Sequence, residues 1–271
     1  MLNEAHDFMA ESDALYSIMK DLNDEDFSCP TQFKGWTLND VLEHLHMWNW
    51  AANESYVDEE SFVKFVADVM NDVQGGSLKI FERKWIGGLA GRALLETWRA
   101  FYTEMAVRFE QVDPKMRLKW AGPSMSARSS ISARLMETWA HGQEVFDHLG
   151  VVRADADRIK SIAVLGTNTF GWTYATRGET PAGPMPYVRL TAPSGDIWEF
   201  GEPSAEEMVE GSASEFCQVV TQVRNIADTK IRVVGPLATD WMSKAQCFAG
   251  GPETPPAPGT RFTKTEESKR K

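Results

Sequence analysis

At 271 residues the chain is long enough to bury a large core, and common domain sizes make two domains the natural expectation. A composition of 42% hydrophobic and 25% charged residues is that of a globular protein, and a formal net charge of -11 argues against binding nucleic acid, whose phosphates require clustered Lys and Arg. No apolar run approaches the roughly 20 residues that cross a bilayer, and the acidic opening MLNEAHDFMAESD does not read as a secretory signal, so no membrane is expected as a partner and the expected compartment is the cytoplasm.

Residues 4 to 22 set Phe8, Leu15, Ile18, Met19 and Leu22 at helical spacing, before Asp24, Glu25, Asp26 and Pro30 break the pattern. Thr37 with Asp40 three residues on resembles a capping box with Asp in the Glu role, and it opens a second helix whose apolar face is Leu38, Val41, Leu42, Leu45 and Trp48. His44 and His46 flank that face on opposite sides, and periodicity does not decide which of them points inward. Phe62, Phe65, Val66, Val69 and Met70 repeat helically over residues 59 to 73, ending before Gly75 and Gly76. Leu94, Leu95, Trp98, Phe101, Tyr102, Met105 and Phe109 do so over residues 90 to 112.

The segment METWAHGQEVFDHL, residues 136 to 149, reads as another helix. Its Glu137 and His141 stand four apart, and residues at that spacing share a helical face. Glu144 and His148 extend the same ionisable stripe, which is also what a solvated face looks like; Glu144 is expected to face solvent. Four or five amphipathic helices without a convincing strand indicate a helical bundle over residues 1–152, and bundles house metal sites between facing helices.

After Gly150 the character changes. A helical segment from Asp155 to about Phe170 is followed by YVRLTA and DIWEF alternating around Pro193, Ser194 and Gly195, a hairpin signal. Ser212 and Glu215 suggest a capping box ahead of Phe216, Val219, Val220 and Val223; KIRVV at 230 to 234 reads as a strand; Pro236 opens a last helix, closed by Gly250 and Gly251. The fold class expected is therefore an N-terminal helical bundle followed by a small α+β domain over residues 153–251. Residues 252–271, poor in apolar side chains, are expected to be extended or disordered, with the mixed-charge end from Lys264 as a loose tail. Cys29, Cys217 and Cys247 are too scattered for a disulfide framework or a CxxC knuckle, and the last two read as buried, inert thiols.

The pairing of GWTLNDVLEHL on an early helix with Glu-x-x-x-His on a late one resembles the DinB-like bundle superfamily. In its Glu-x-x-x-His form it resembles mycothiol-dependent maleylpyruvate isomerase and its relatives. The stretch LTAPSGDIWEFGE with the segment from Val209 to Pro252 is similar to the C-terminal domain of that isomerase group, which is sterol-carrier-like. It is similar also to a two-domain subgroup labelled through a wyosine base formation domain. The resemblance implies a divalent metal held by His44, Glu137 and His141, with Glu137 a ligand rather than a general base; His46 and His148 do not align with the motif. Zinc is the first ion implied, with nickel, manganese and iron as the others, and a low-molecular-weight thiol as cosubstrate. It also implies that an arginine of the second domain handles an acidic substrate. Where relatives tend to carry paired arginines this chain has Gln222, Val223 and Arg224, so only Arg224 matches; Arg134 is a further weak candidate for an anionic group.

The function expected is a metal- and thiol-dependent transferase or isomerase acting on a small electrophilic substrate, with a homodimer as an open option. Two alternatives stand beside it: a non-catalytic module binding metal or a hydrophobic ligand, and a metal-dependent hydrolase.

Overall fold

The computed structural model describes residues 1–75 and 77–265; Gly76 and the last six residues of the basic tail lie outside them. The chain divides into two compact units, Met1–Phe146 and Asp147–Lys271.

The first unit is built from helices α1 (Asn3–Met19), α2 (Leu38–Val57), α3 (Glu59–Gly75), α4 (Leu78–Ile86), α5 (Gly91–Glu110) and most of α6 (Ala127–Leu149), with a two-residue strand pair, β1 (Arg117–Leu118) and β2 (Met125–Ser126), between α5 and α6. The capping box at the head of α2 forms. Thr37 Oγ1 accepts from the Asp40 backbone N–H at 3.1 Å, and Asp40 Oδ2 accepts from the Thr37 N–H at 2.8 Å, so two orphan donors of the helix start are satisfied. Helix α1 packs on α5, and α2 packs on α5, α3 and α4. Phe8, Leu15, Leu42, Leu45, Trp98, Tyr102, Leu135 and Trp139 are fully buried among them, each worth about 1.5–3 kcal/mol relative to exposure. Tyr102 keeps its hydroxyl satisfied by donating to Asp13 Oδ1 at 2.6 Å.

Helix α4 was not expected from sequence. It is nine residues long with four charges, and only Phe81 and Glu82 are buried, so no periodic run announces it. Its ends carry the available signals: Ser77 caps the start, its Oγ accepting from the Ile80 N–H at 3.4 Å, and Gly87 closes it in the left-handed region at φ 68°. Asp40 ties α4 to α2, with Lys79 Nζ at 2.6 Å and Arg83 Nη2 at 2.7 Å.

In the second unit a four-stranded sheet runs in the order β4-β3-β5-β6, with β3 (Tyr187–Thr191), β4 (Ile197–Phe200), β5 (Met208–Ser212) and β6 (Arg232–Val234). The hairpin β3–β4 pairs Val188 with Phe200 and Thr191 with Ile197, turning at Gly195 with φ 93°. Strand β5, unannounced in the sequence, pairs parallel to β3, and β6 closes the other edge antiparallel to β5. Helices α7 (Lys160–Asn168), α8 (Phe170–Ala175), α9 (Ala213–Val220) and α10 (Pro236–Met242) complete the unit.

The expected capping box at Ser212 and Glu215 does not form. Ser212 is the last residue of β5 and makes no side-chain cap, while Glu215 Oε1 accepts instead from the Lys230 backbone N–H at 3.1 Å. Strand pairing has taken the residue that sequence alone offers to the helix. The last helix stops at Met242, well short of the glycine pair. From Pro252 to Thr265 the chain is extended but held to the second unit by polar contacts. Asn225 Nδ2 donates to Pro256 O at 2.8 Å, Arg261 Nη1 to Gln222 O at 2.9 Å, and Thr263 Oγ1 to Asp147 Oδ1 at 2.8 Å. Cys217 and Cys247 are buried, and among the described residues no disulfide joins any of the three cysteines.

Candidate metal centre

Helices α2 and α6 bring His44, Glu137 and His141 together, although 93 positions separate His44 from Glu137. One donor atom from each lies within 4.8 Å of the others. His44 Nε2 stands 3.4 Å from Glu137 Oε2, and His141 Nε2 stands 3.3 Å from the same oxygen. Both imidazoles therefore present Nε2 to one carboxylate, and the two rings lie 4.7 Å apart between centroids. Two imidazole nitrogens and one carboxylate oxygen converging in this way suit a divalent ion with coordination positions left open.

Each histidine is held from behind by a different force. On α4, Glu82 Oε1 lies 2.7 Å from His44 Nδ1 and also accepts from Trp48 Nε1 at 3.3 Å. His141 instead lies against the aromatic pair from the loop before α2: its ring stacks parallel on Trp36 at 5.3 Å, and Phe33 meets it edge-on at 5.2 Å. Trp36 also flanks His44 at 5.4 Å.

Partial burial and mutual charge together set the electrostatics of this half-buried cluster. Burial disfavours the charged form of His44, but Glu82 and Glu137 outweigh it and hold the imidazole up at about 9. Burial likewise opposes the Glu137 carboxylate, yet its contacts with His141 and His44 keep it well below the usual carboxylate range. Burial lowers His141, with the His44 charge adding to the fall and Glu137 opposing it.

His46 is a core imidazole, edge-on to Trp85 at 5.8 Å and to Phe101 at 5.4 Å, and burial lowers its pKa to about 4. Glu144, expected to face solvent, is 1% exposed; its turn of α6 is covered on that side, which the stripe alone could not reveal. His148 Nδ1 lies 3.0 Å from Lys264 Nζ in the second unit. Arg134, one turn before Glu137 on α6, is 2% exposed and donates from Nε to Asn49 Oδ1 at 3.1 Å; burial lowers its pKa to about 10 against the opposing pull of Glu137. Arg224 belongs to the second unit, where Nη2 donates to Asp147 Oδ1 at 2.7 Å and Nη1 to Val223 O at 2.9 Å. Glu82, Trp36 and Phe33 are the residues of the centre that sequence reasoning did not single out. The GW preceding the Thr37 cap and the lone acid between Phe81 and Arg83 were their only local marks.

Residues 8–146 match the family described as the mycothiol maleylpyruvate isomerase N-terminal domain. Over 246 residues the chain is 35% identical to an uncharacterized protein of Mycobacterium tuberculosis strain CDC 1551 / Oshkosh, and equally to one of strain H37Rv; each alignment covers 91% of this chain and 95% of the relative. Among solved structures, the crystal structure of the mycothiol-dependent maleylpyruvate isomerase superposes with a TM-score of 0.51 at 15% identity, covering 80% of this chain and 86% of that one. A histidine mutant of that isomerase superposes with a TM-score of 0.50 over the same shares. These superpositions establish a common fold of bundle followed by α+β unit. No helix among the described residues is long and apolar enough to cross a membrane. With its N-terminal half covered by the family description and the bundle architecture shared, the chain belongs to the mycothiol maleylpyruvate isomerase N-terminal domain family, a DinB-like family.

Proposed function

We propose that the chain binds one divalent ion, zinc in the first instance, through His44, Glu137 and His141, and uses it in a thiol-dependent transfer or isomerisation on a small electrophile. The observation that carries this reading is the convergence of the two Nε2 atoms on one Glu137 oxygen, with donor atoms from the three side chains within 4.8 Å. The family supports the thiol: the solved isomerase of this fold is by its description mycothiol-dependent. A reducing cytoplasm, where small thiols stay reduced, suits such a reaction.

A bound divalent ion would supply Lewis acidity and lower the pKa of a thiol at its open position, so that thiolate is present at neutral pH. The chain's own part is placement. Glu137 is committed as a ligand, with both histidines on one of its oxygens, and is not free to act as general base. Trp36 and Phe33 form an aromatic wall on the histidine side, which limits solvent there and so strengthens the charge interactions behind it. The Arg134 guanidinium adds a fixed positive charge one helical turn from Glu137, favouring an anionic group nearby.

The test is metal content followed by turnover. Purified protein should hold about one equivalent of a divalent ion, lost in His44→Ala and His141→Ala. The loaded protein should then consume an electrophile such as maleylpyruvate only in the presence of a small thiol, mycothiol first. Equal, substoichiometric metal in wild type and variants would end the proposal. Stoichiometric metal without turnover under any thiol would leave a passive binding module in its place.

A further inference from the structure

Helix α4 buries a carboxylate directly behind a candidate metal ligand. Glu82 is 1% exposed, and the groups it meets are His44 Nδ1 at 2.7 Å and Trp48 Nε1 at 3.3 Å, both on Oε1. The neighbouring cations of α4 are turned elsewhere: Lys79 and Arg83 both pair with Asp40. A buried ion pair is weak evidence of a purely stabilising role, since apolar replacement of both partners is often neutral or stabilising. Its geometry has a different consequence. Indole Nε1–H is a donor only, and an oxygen that accepts from it and from the imidazole holds the His44 proton on Nδ1. When the ring carries a single proton, the lone pair is then on Nε2, the atom that faces Glu137 at 3.4 Å. Without Glu82 the ring could flip or adopt the other tautomer, and Nε2 would carry the proton where a cation has to sit.

We infer that Glu82 is a positioning residue of the metal centre, fixing the tautomer and orientation of His44 so that Nε2 is presented to the ion. This rests on the metal reading above and extends it to a fourth side chain from a third helix. The two histidines are then held unequally, His44 by a charged hydrogen bond and His141 by stacking on Trp36. Loss of the partner behind a ligand histidine typically weakens metal binding by roughly 10–100-fold.

The experiment measures Zn2+ dissociation constants by chelator competition, and the visible absorption of the Co2+-loaded protein, for wild type, Glu82→Gln, Glu82→Ala and the His44→Ala control. Thermal unfolding of the metal-free proteins runs alongside. The expected result is one-to-one binding by wild type and affinity down roughly 10–100-fold in Glu82→Ala, with a weakened or shifted Co2+ band. Glu82→Gln, which keeps the shape and an acceptor oxygen but loses the charge, should fall between the two, with metal-free unfolding close to wild type. If wild type binds and Glu82→Ala binds equally well with an unchanged Co2+ spectrum, the positioning role is overturned while the metal site stands. If both Glu82 variants lose affinity only in step with lost folding, and Glu82→Gln does no better than Ala, the residue is structural and the inference fails. Wild type binding no ion at all would bring down the metal reading itself.

Discussion

Trp36 lies parallel to His141, with an interplanar angle of 0° and 5.3 Å between ring centroids, at the end of the loop that leads into α2. The stack fixes the plane of the imidazole without using either of its nitrogens. Trp36→Ala should therefore leave the fold intact and loosen His141. Stacked aromatic pairs are worth about 0.5–1.5 kcal/mol, so metal affinity should fall about two- to tenfold, read by chelator competition. Unchanged affinity would mean that the stack is packing alone.

Asp40 couples the head of α2 to α4, and its charge makes that link sensitive to acid. Burial raises its pKa, but Lys79, the Thr37 backbone N–H and Arg83 outweigh that and leave it below the ordinary value. A carboxyl with a lowered folded pKa contributes stability that is present above its unfolded pKa near 3.8 and lost as pH falls through the folded value. The urea midpoint of the protein should fall as pH drops below about 4, and the slope should be shallower in Asp40→Asn. At neutral pH that variant should lose roughly 1–3 kcal/mol, because two cations and a cap keep only a neutral partner.

Gly166 is where α7 meets α9. A Cβ there would stand 2.9 Å from Val220 Cγ2 and 3.1 Å from Phe216 Cε1. Gly166→Ala gains up to about 1 kcal/mol of helix propensity but overpacks the contact at about 1–3 kcal/mol, so a net loss is expected in thermal unfolding. Val220→Ala in the same chain should recover part of it, and a double-mutant cycle reads the coupling. Additive losses would show that the two helices do not meet in this way.

Arg224 and Asp147 form a buried pair in the second unit, with side-chain exposures of 10% and 1%. Removing the cation leaves a buried carboxylate held by Thr263, so Arg224→Ala should destabilise the protein by about 3–5 kcal/mol, measured by denaturant unfolding. Arg224→Lys, which keeps the charge without the second hydrogen bond to Val223, should lose less. A variant as stable as wild type would instead free Arg224 for the substrate role that the family resemblance implies.

Much of the architecture was legible because it is local. The 3.6-residue period marked α1, α2, α5 and α6, the Thr37–Asp40 box marked the start of α2, and alternation around Gly195 marked the β3–β4 hairpin. Glu137 and His141 were legible as a pair for the same reason, since four residues make one helical turn. The elements that escaped owe their form to distant partners. Strand β5 is set by its parallel neighbour β3, and short, charged α4 by its docking on α2 through Asp40.

Periodicity alone therefore determined the long helices of the bundle and the facing pair on α6. It could not choose between His44 and His46, which sit on opposite margins of one apolar face. That choice belongs to the tertiary structure: α6 and the Glu82 carboxylate lie on the side of His44, while Trp85 and Phe101 enclose His46. The physical reason is range. Spacing along a helix says which side chains share a face, and only the packing of other helices says what that face meets.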